Sequence, residues 1–285
     1  MTGLYDPGTP IPATPPLHGL AASAQEVTDP ERWDSGFTIC PENCVDISGM
    51  VNDCWSFTDA TVPTPADPPA NQDCYDVDAY TMETSFRCNA RGFQTVDYRG
   101  RARRQLEAAT SKFMEHELWT GTLRPDNPRL DMGGVVIGPG PYTPSEALVL
   151  LGQALSNCAH GGRGMIHAPT FVVDAWLEAG GGGGSIKEQG TRLVTVNRGD
   201  TIVSGTGYPG TGPEGVAPGG GQAWVWATGP VQYRLGSINV IPDAFKEAFN
   251  KRNNLVQYHA QREAAANFDP CCHFGLLVQV VESGS

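Results

Sequence analysis

The residues with the most chemical reach in this 285-residue chain are its eight cysteines and six histidines. Cys158-Ala-His160 and Cys271-Cys272-His273 set a thiol beside an imidazole, the composition that metal binding or an activated sulfur nucleophile requires. Neither pair has an identifiable third group to orient the histidine, nor a helix terminus to lower the thiol pKa. Nearer the N-terminus, Cys40-x3-Cys44 is followed by Cys54 and Cys74, an irregular spacing without the paired C-x2-C knuckles of a zinc site. Three readings stand for these sulfurs. They are buried free thiols, the commonest fate of cysteine; zinc ligands; or disulfides among the cysteines of Cys40–Cys74 in the final, extracellular form.

Other chemistries have less to work with. Thirty-five glycines invite a phosphate-binding loop, yet no Gly-Lys dipeptide occurs and no G-x-G-x-x-G joins a strand to a helix. The G-x-S-x-G elbow of serine hydrolases is absent, and no pair of carboxylates stands apart from the rest. The sequence therefore offers no catalytic, cofactor-binding or metal residues to name, and the chain reads as not an enzyme. Trp119, Trp176, Trp224 and Trp226 are read as core or interface residues.

The elements around these residues carry the stronger signals. The net charge of −12 is uneven: residues 1–86 hold fourteen acids against one base, Arg32, a net of −13, while the remainder is +1. Opposed patches of this kind steer association, and Arg99, Arg101, Arg103 and Arg104 offer a basic counterpart to an acidic first segment. The other reading is that the acids simply keep a surface solvated. No apolar run approaches eighteen residues and the N-terminus lacks a signal-peptide pattern, so a soluble protein made in the cytosol is expected, with its cysteines initially reduced.

Residues 1–35, with Pro7, Pro10, Pro12, Pro15, Pro16 and Pro30, read as an extended arm. Strand-like runs at Val51–Thr58 and Tyr75–Arg87 flank a proline-rich loop and predict a long hairpin. A helix is predicted over 98–119, with Ala102, Leu106, Ala109 and Phe113 as its apolar stripe and Gly121 as its stop. Its first turns are basic and its last turn, with Glu115 and Glu117, is acidic, against the helix dipole. Packing or charged neighbours must hold such a helix. A capping box at Thr143-Pro144-Ser145-Glu146 starts a second helix that runs to Gly161. A third spans Phe171–Ala179, ahead of five glycines at 180–184. Strands are expected at Arg192–Asn197 and Gln222–Thr228, a fourth helix at about Asp243–Asn253, and strands beyond it.

Four segments, in order, resemble the major capsid proteins of tailed double-stranded DNA phages with the Hong Kong 97 fold, in the short form found among actinobacteriophages. They are Trp33-x-x-Gly36 leading to Pro41-Glu-Asn-Cys44; the run to Cys88 with the helix ending Glu117-Leu-Trp-Thr-Gly121; Trp224-Val-Trp-Ala-Thr-Gly-Pro230 with Arg234; and Gln261-Arg262-Glu-Ala-Ala-Ala-Asn-Phe-Asp269. The resemblance implies an α+β fold with an N-terminal arm (1–35) and an extended segment including the E-loop hairpin (36–92). It further implies a peripheral domain with a spine helix at about 98–119 (93–140), an axial domain (141–240), and a return to the peripheral domain (241–285). It implies a structural protein that self-assembles into pentamers and hexamers, forming the icosahedral head around the phage DNA without sequence-specific binding. The location implied is the virion, after assembly in the host cytoplasm.

Implied partners are further copies of the chain, a separate scaffolding protein, a portal and, in some relatives, a decoration protein; no membrane and no cofactor are implied. Arg99, Arg101, Arg103, Arg104, Trp33 and Trp55 are the interface candidates. Some relatives weld their shells through an E-loop lysine, but the lysines here, Lys112, Lys187, Lys246 and Lys251, all follow the start of the spine helix. Two alternatives accompany this reading: an encapsulin-like bacterial compartment and, in another class, a cysteine-rich metal-binding enzyme.

Overall fold

The computed structural model describes residues 17–28, 33–39, 74–89, 97–158, 162–179 and 186–280. Two sheets and one long helix organise them. After a single helical turn, α1 (Leu20–Ser23), the chain forms β1 (Gln25–Glu26), then β2 (Phe37–Ile39), which pairs with β3 (Tyr75–Val77). β4 (Tyr80–Asn89) leads to α2 (Tyr98–Thr120) and the short edge strand β5 (Val135–Val136). Helix α3 (Pro144–Cys158), β6 (Met165–Pro169) and α4 (Thr170–Ala179) follow. Then come β7 (Ile186–Gln189), β8 (Arg192–Thr195), β9 (Thr201–Gly205), β10 (Gln222–Thr228), β11 (Val231–Leu235) and β12 (Asn239–Ile241). One further turn, α5 (Phe245–Ala248), precedes β13 (Phe249–Asn250), β14 (Leu255–Phe268) and β15 (His273–Gln279).

The first sheet is built on β14. One edge pairs antiparallel with β4 from Leu255↔Asn89 to Ala264↔Tyr80. The other edge takes β13, β12 and β11 in turn, and β1 adds in parallel to β11. The second sheet runs β5-β15-β10-β6-β9-β8-β7. Alternation along its central strands explains why it is buried on both faces. Ala223, Val225 and Ala227 of β10, Ile166 and Ala168 of β6 and Ile202 of β9 meet α3 and α4 in one core. Trp226, Met165 and Val203, one position out of phase, join the other core with α2 and the first sheet. Helix α2 thus belongs to a core that both sheets line.

The local signals of α2 and α3 operate as expected. Gly121 ends α2 in the left-handed region at φ 58°, and its N–H closes on Glu117 O. At α3 the Thr143 N–H and hydroxyl both donate to Glu146 Oε2, and the Glu146 N–H returns to Thr143 Oγ1. These contacts hold the Glu146 carboxyl below its usual range. Four expectations need correction. The buried line of α2 is Tyr98, Ala102, Leu106, Thr110, Met114 and Leu118, while Ala109 is exposed and Phe113 half-buried. A spacing of four repeated along a 3.6-residue helix drifts slowly around the axis, and Thr110 stays on that line because its hydroxyl donates to Leu106 O.

The helix expected over 243–253 is only the turn α5. Phe245 and Phe249 stack on each other at 5.6 Å, and Phe245 on Tyr98 at 6.1 Å. Beyond them Asn250-Lys251-Arg252-Asn253-Asn254 has no apolar face to bury, and Asn254 turns through φ 52° into β14. The run Tyr75–Arg87 is two strands rather than one, β3 pairing with β2 and β4 with β14. The partner expected for it, Val51–Thr58, lies outside the described residues. Strand β8 stops at Thr195, where Gly199 and Asp200 fold back on it through Gly199 N to Thr195 O and Asp200 N to Thr195 Oγ1.

Candidate assembly surfaces

The arginines at the start of α2 are spread around its flanks, Arg99 and Arg103 exposed and Arg101 and Arg104 half-buried. Asp97 caps the helix by accepting from Gly100 N–H at 2.7 Å and also receives Arg104 Nη1 at 3.3 Å. Arg103 pairs with Glu107 one turn on at 3.1 Å, and Arg99 reaches Asp243 at 2.7 Å. Arg101 lies close enough to Cys88 that its charge opposes the upward push of burial on that thiol. These pairs are solvent-exposed and contribute about 0–1 kcal/mol each. Their role in the fold is to offset positive charge at the positive end of the helix dipole. Such weak pairs can exchange for an acid from elsewhere at little cost.

Trp33 lies half-buried in a cleft of about 490 Å³ between Asp34, Thr81, Asn239 and Arg262, on the first sheet. Beside it Arg234 sits over the Phe37 ring at 3.8 Å, and Arg262 Nε donates to Gly236 O at 2.6 Å. Trp33 is therefore on the sheet that α2 also packs against, apart from the arginines of the helix. Trp55 lies outside the described residues.

The acidic end of α2, which the sequence marks only as opposed to the helix dipole, holds two buried carboxylates. Glu115 is fully buried. Its carboxylate accepts from Leu20 N at 3.0 Å, Gly207 N at 2.8 Å and Ser111 Oγ at 3.0 Å, joining the N-terminal turn, the loop after β9 and α2. Burial raises its pKa, and these hydrogen bonds only partly counter the effect. Glu117 accepts from Leu123 N and Arg124 N, closing the turn beyond the helix. Acids at this helix end are tolerated because each answers backbone N–H groups of other segments. The detectable signal was position: Glu115 stands one turn beyond Ser111, beside Met114 on the line that includes Leu106.

Histidines and cysteines fill structural positions. His167, sealed in the core, hydrogen-bonds Tyr208 and Thr228 at 2.9 and 3.0 Å. Desolvation, with His273 nearby, lowers its pKa to about 3. Burial likewise lowers His273 to about 4, against a hydrogen bond to Leu130 O. Both imidazoles are neutral near pH 7 and hydrogen-bonded to groups of their own core. Trp119, Trp176 and Trp226 are core residues, and Trp224 stacks half-buried on Trp226. Cys158 and Cys272 are not free thiols: they form a disulfide, and Cys74 and Cys271 are also disulfide-bonded. Cys40, Cys44 and Cys54, and His160 of the Cys158 cluster, lie outside the described residues. Among the described residues no group of three or more His, Cys, Asp or Glu gathers as for a metal ion.

An apolar groove opens at the β5 edge of the second sheet, lined by Val135, Val136, Leu150, Ala154, Cys158 and Phe274. Val135 is 61% exposed, which makes this edge the apolar counterpart of the charged flanks of α2. No described helix is long and apolar enough to cross a membrane.

No known family pattern and no curated protein sequence matches the chain. Solved structures do. The capsid of an empty GTA particle matches with a TM-score of 0.57 over 97% of this chain and 96% of that one, at 14% identity. The capsid of a native GTA particle matches at 0.54, with the same coverage and 11% identity. The capsid of Ralstonia phage GP4 matches at 0.53, over 100% of this chain and 98% of its own, at 10% identity. The chain has the mixed α+β, Hong Kong 97-type fold of phage capsids.

Proposed function

We propose that the chain is the major capsid protein of a tailed phage, assembling into pentamers and hexamers that close an icosahedral head around double-stranded DNA. The observation that carries this reading is the match of fold over nearly the whole length of both chains. The surfaces support the same reading. The described residues display weakly countered arginines on the flanks of α2 and an exposed apolar sheet edge, the kind of contacts that many neighbours can share.

Within this reading α2 is the spine helix of a peripheral domain, residues 1–35 and 36–92 are the arm and E-loop segment, and 141–240 form the axial domain. The arginines of α2 receive acids of the first segment from an adjacent subunit, exchanging their internal partners Asp97, Glu107 and Asp243. Trp33 and Trp55 are contact residues of the same segment. A scaffolding protein, a portal and, where present, a decoration protein complete the assembly, and the subunit acts by contact rather than catalysis. Light scattering and negative-stain microscopy of the chain, alone and with a scaffold, test this. Rings or closed particles support it, and a monomer under both conditions overturns it.

A further inference from the structure

We propose that Cys158 and Cys272 are a redox clasp, with Cys158 the attacking thiol and Cys272 the resolving one. The two are joined across 114 positions of sequence. Cys158 is the last residue of α3, half-buried in the wall of the open groove formed with Val135, Val136, Leu150 and Phe274. Cys272 is fully buried where the chain leaves β14 of the first sheet and enters β15 of the second. The bond therefore ties the end of α3 to the crossing between the sheets, and only one of its two sulfurs can meet a reagent from solvent. The thiol form is also provided for: Cys158 Sγ lies 3.2 Å from Cys271 O, an acceptor for its S–H.

Exposure sets the order of steps. The Cys158 thiolate attacks one sulfur of a small-molecule disulfide, whose S–S bond breaks and releases one thiolate. The Cys272 thiol then gives up its proton and attacks the Cys158 sulfur, breaking the mixed disulfide and releasing the second thiolate. Two protein thiols are oxidised and one small disulfide is reduced to two thiols. In a reducing compartment the pair rests as thiols, and outside it the clasp closes. Its use rests on the shell reading above: a covalent bond made inside each subunit after assembly fixes α3 without a lysine crosslink. The chemistry itself is read on the isolated chain, so its failure is separable from failure to assemble.

The test uses the full chain, reduced, desalted and treated with 4,4′-dithiodipyridine, an uncharged aromatic disulfide suited to the apolar groove. Remaining thiols are then alkylated and the digest is mapped by tandem mass spectrometry, in which fragment ions cut between residues 271 and 272 separate Cys272 from the adjacent Cys271. The expected product is a linked peptide pair through Cys158 and Cys272. Cys272→Ser stops with a thiopyridyl group on Cys158, and Cys158→Ser leaves Cys272 unmodified in the folded protein. Should either variant fail to fold, a brief iodoacetamide pulse on the reduced wild type decides alone. It labels Cys158 faster than Cys272 by on the order of tenfold or more, as exposure dictates. Equal labelling of both, or absence of the linked pair after the disulfide treatment, overturns the proposal.

Discussion

Replacing Glu115 tests whether one buried carboxylate joins three segments of this subunit. Glu115→Ala removes the acceptor of Leu20 N–H and Gly207 N–H, both buried at that contact. Each abandoned donor costs about 1–3 kcal/mol. Ser111 can turn its hydroxyl to a backbone carbonyl one turn back and adds little. The expected loss is about 2–6 kcal/mol, a large part of a typical domain stability of about 5–15 kcal/mol. Glu115→Gln keeps one acceptor oxygen. Because Leu20 and Ser111 share Oε1 while Gly207 uses Oε2, the amide must turn its NH2 on one of these donors, a cost of about 1–3 kcal/mol.

Urea unfolding of the isolated subunit, followed by tryptophan fluorescence, reads both losses, and the alanine variant should fall below glutamine. Because burial raises the folded pKa above the ordinary carboxyl value of 4.5, this group's contribution to stability is fully present below that value. It is lost as pH rises through the higher folded value, and Glu115→Gln should remove that part of the slope. An alanine variant within about 1 kcal/mol of wild type, or glutamine worse than alanine, would refute the reasoning.

His167 and His273 act in the opposite sense. Their folded pKa values of about 3 and about 4 lie below the ordinary 6.5, so the stability they contribute is present above 6.5 and is lost as pH falls toward those values. Unfolding titrations between pH 7 and 4 should show this loss, and His167→Gln, if folded, should flatten it; an unchanged slope argues against burial as the cause. Reversing charge at Arg101 and Arg104 together should abolish rings and shells while leaving the isolated subunit within about 1 kcal/mol of wild type, since the internal Arg104–Asp97 pair is exposed. Normal shells from that variant would remove these arginines from the assembly contacts.

What the sequence disclosed was what neighbours in the chain decide. The Thr143–Glu146 capping box, the stop at Gly121 and the strand Gln222–Thr228 each rest on residues a few positions apart, and each is present. Pairings set by distant residues were not legible. β14 needs β4 at its edge, more than 150 positions away, and Cys158 finds Cys272 rather than a nearby histidine. Glu115 reads in isolation as a misplaced acid, because its partners are backbone N–H groups that no side-chain pattern reveals. The α5 turn shows the converse. Propensity allows a helix through Asn253, but Phe249 is taken by pairing with Val256 in the first sheet.

The most direct measurement is size-exclusion light scattering with negative-stain microscopy on the full chain, expressed alone and with a scaffolding protein. The account predicts five- and six-membered rings or closed icosahedral particles, with nucleic acid rather than an enzyme as the enclosed cargo once packaging partners are supplied. A homogeneous monomer under both conditions would contradict it.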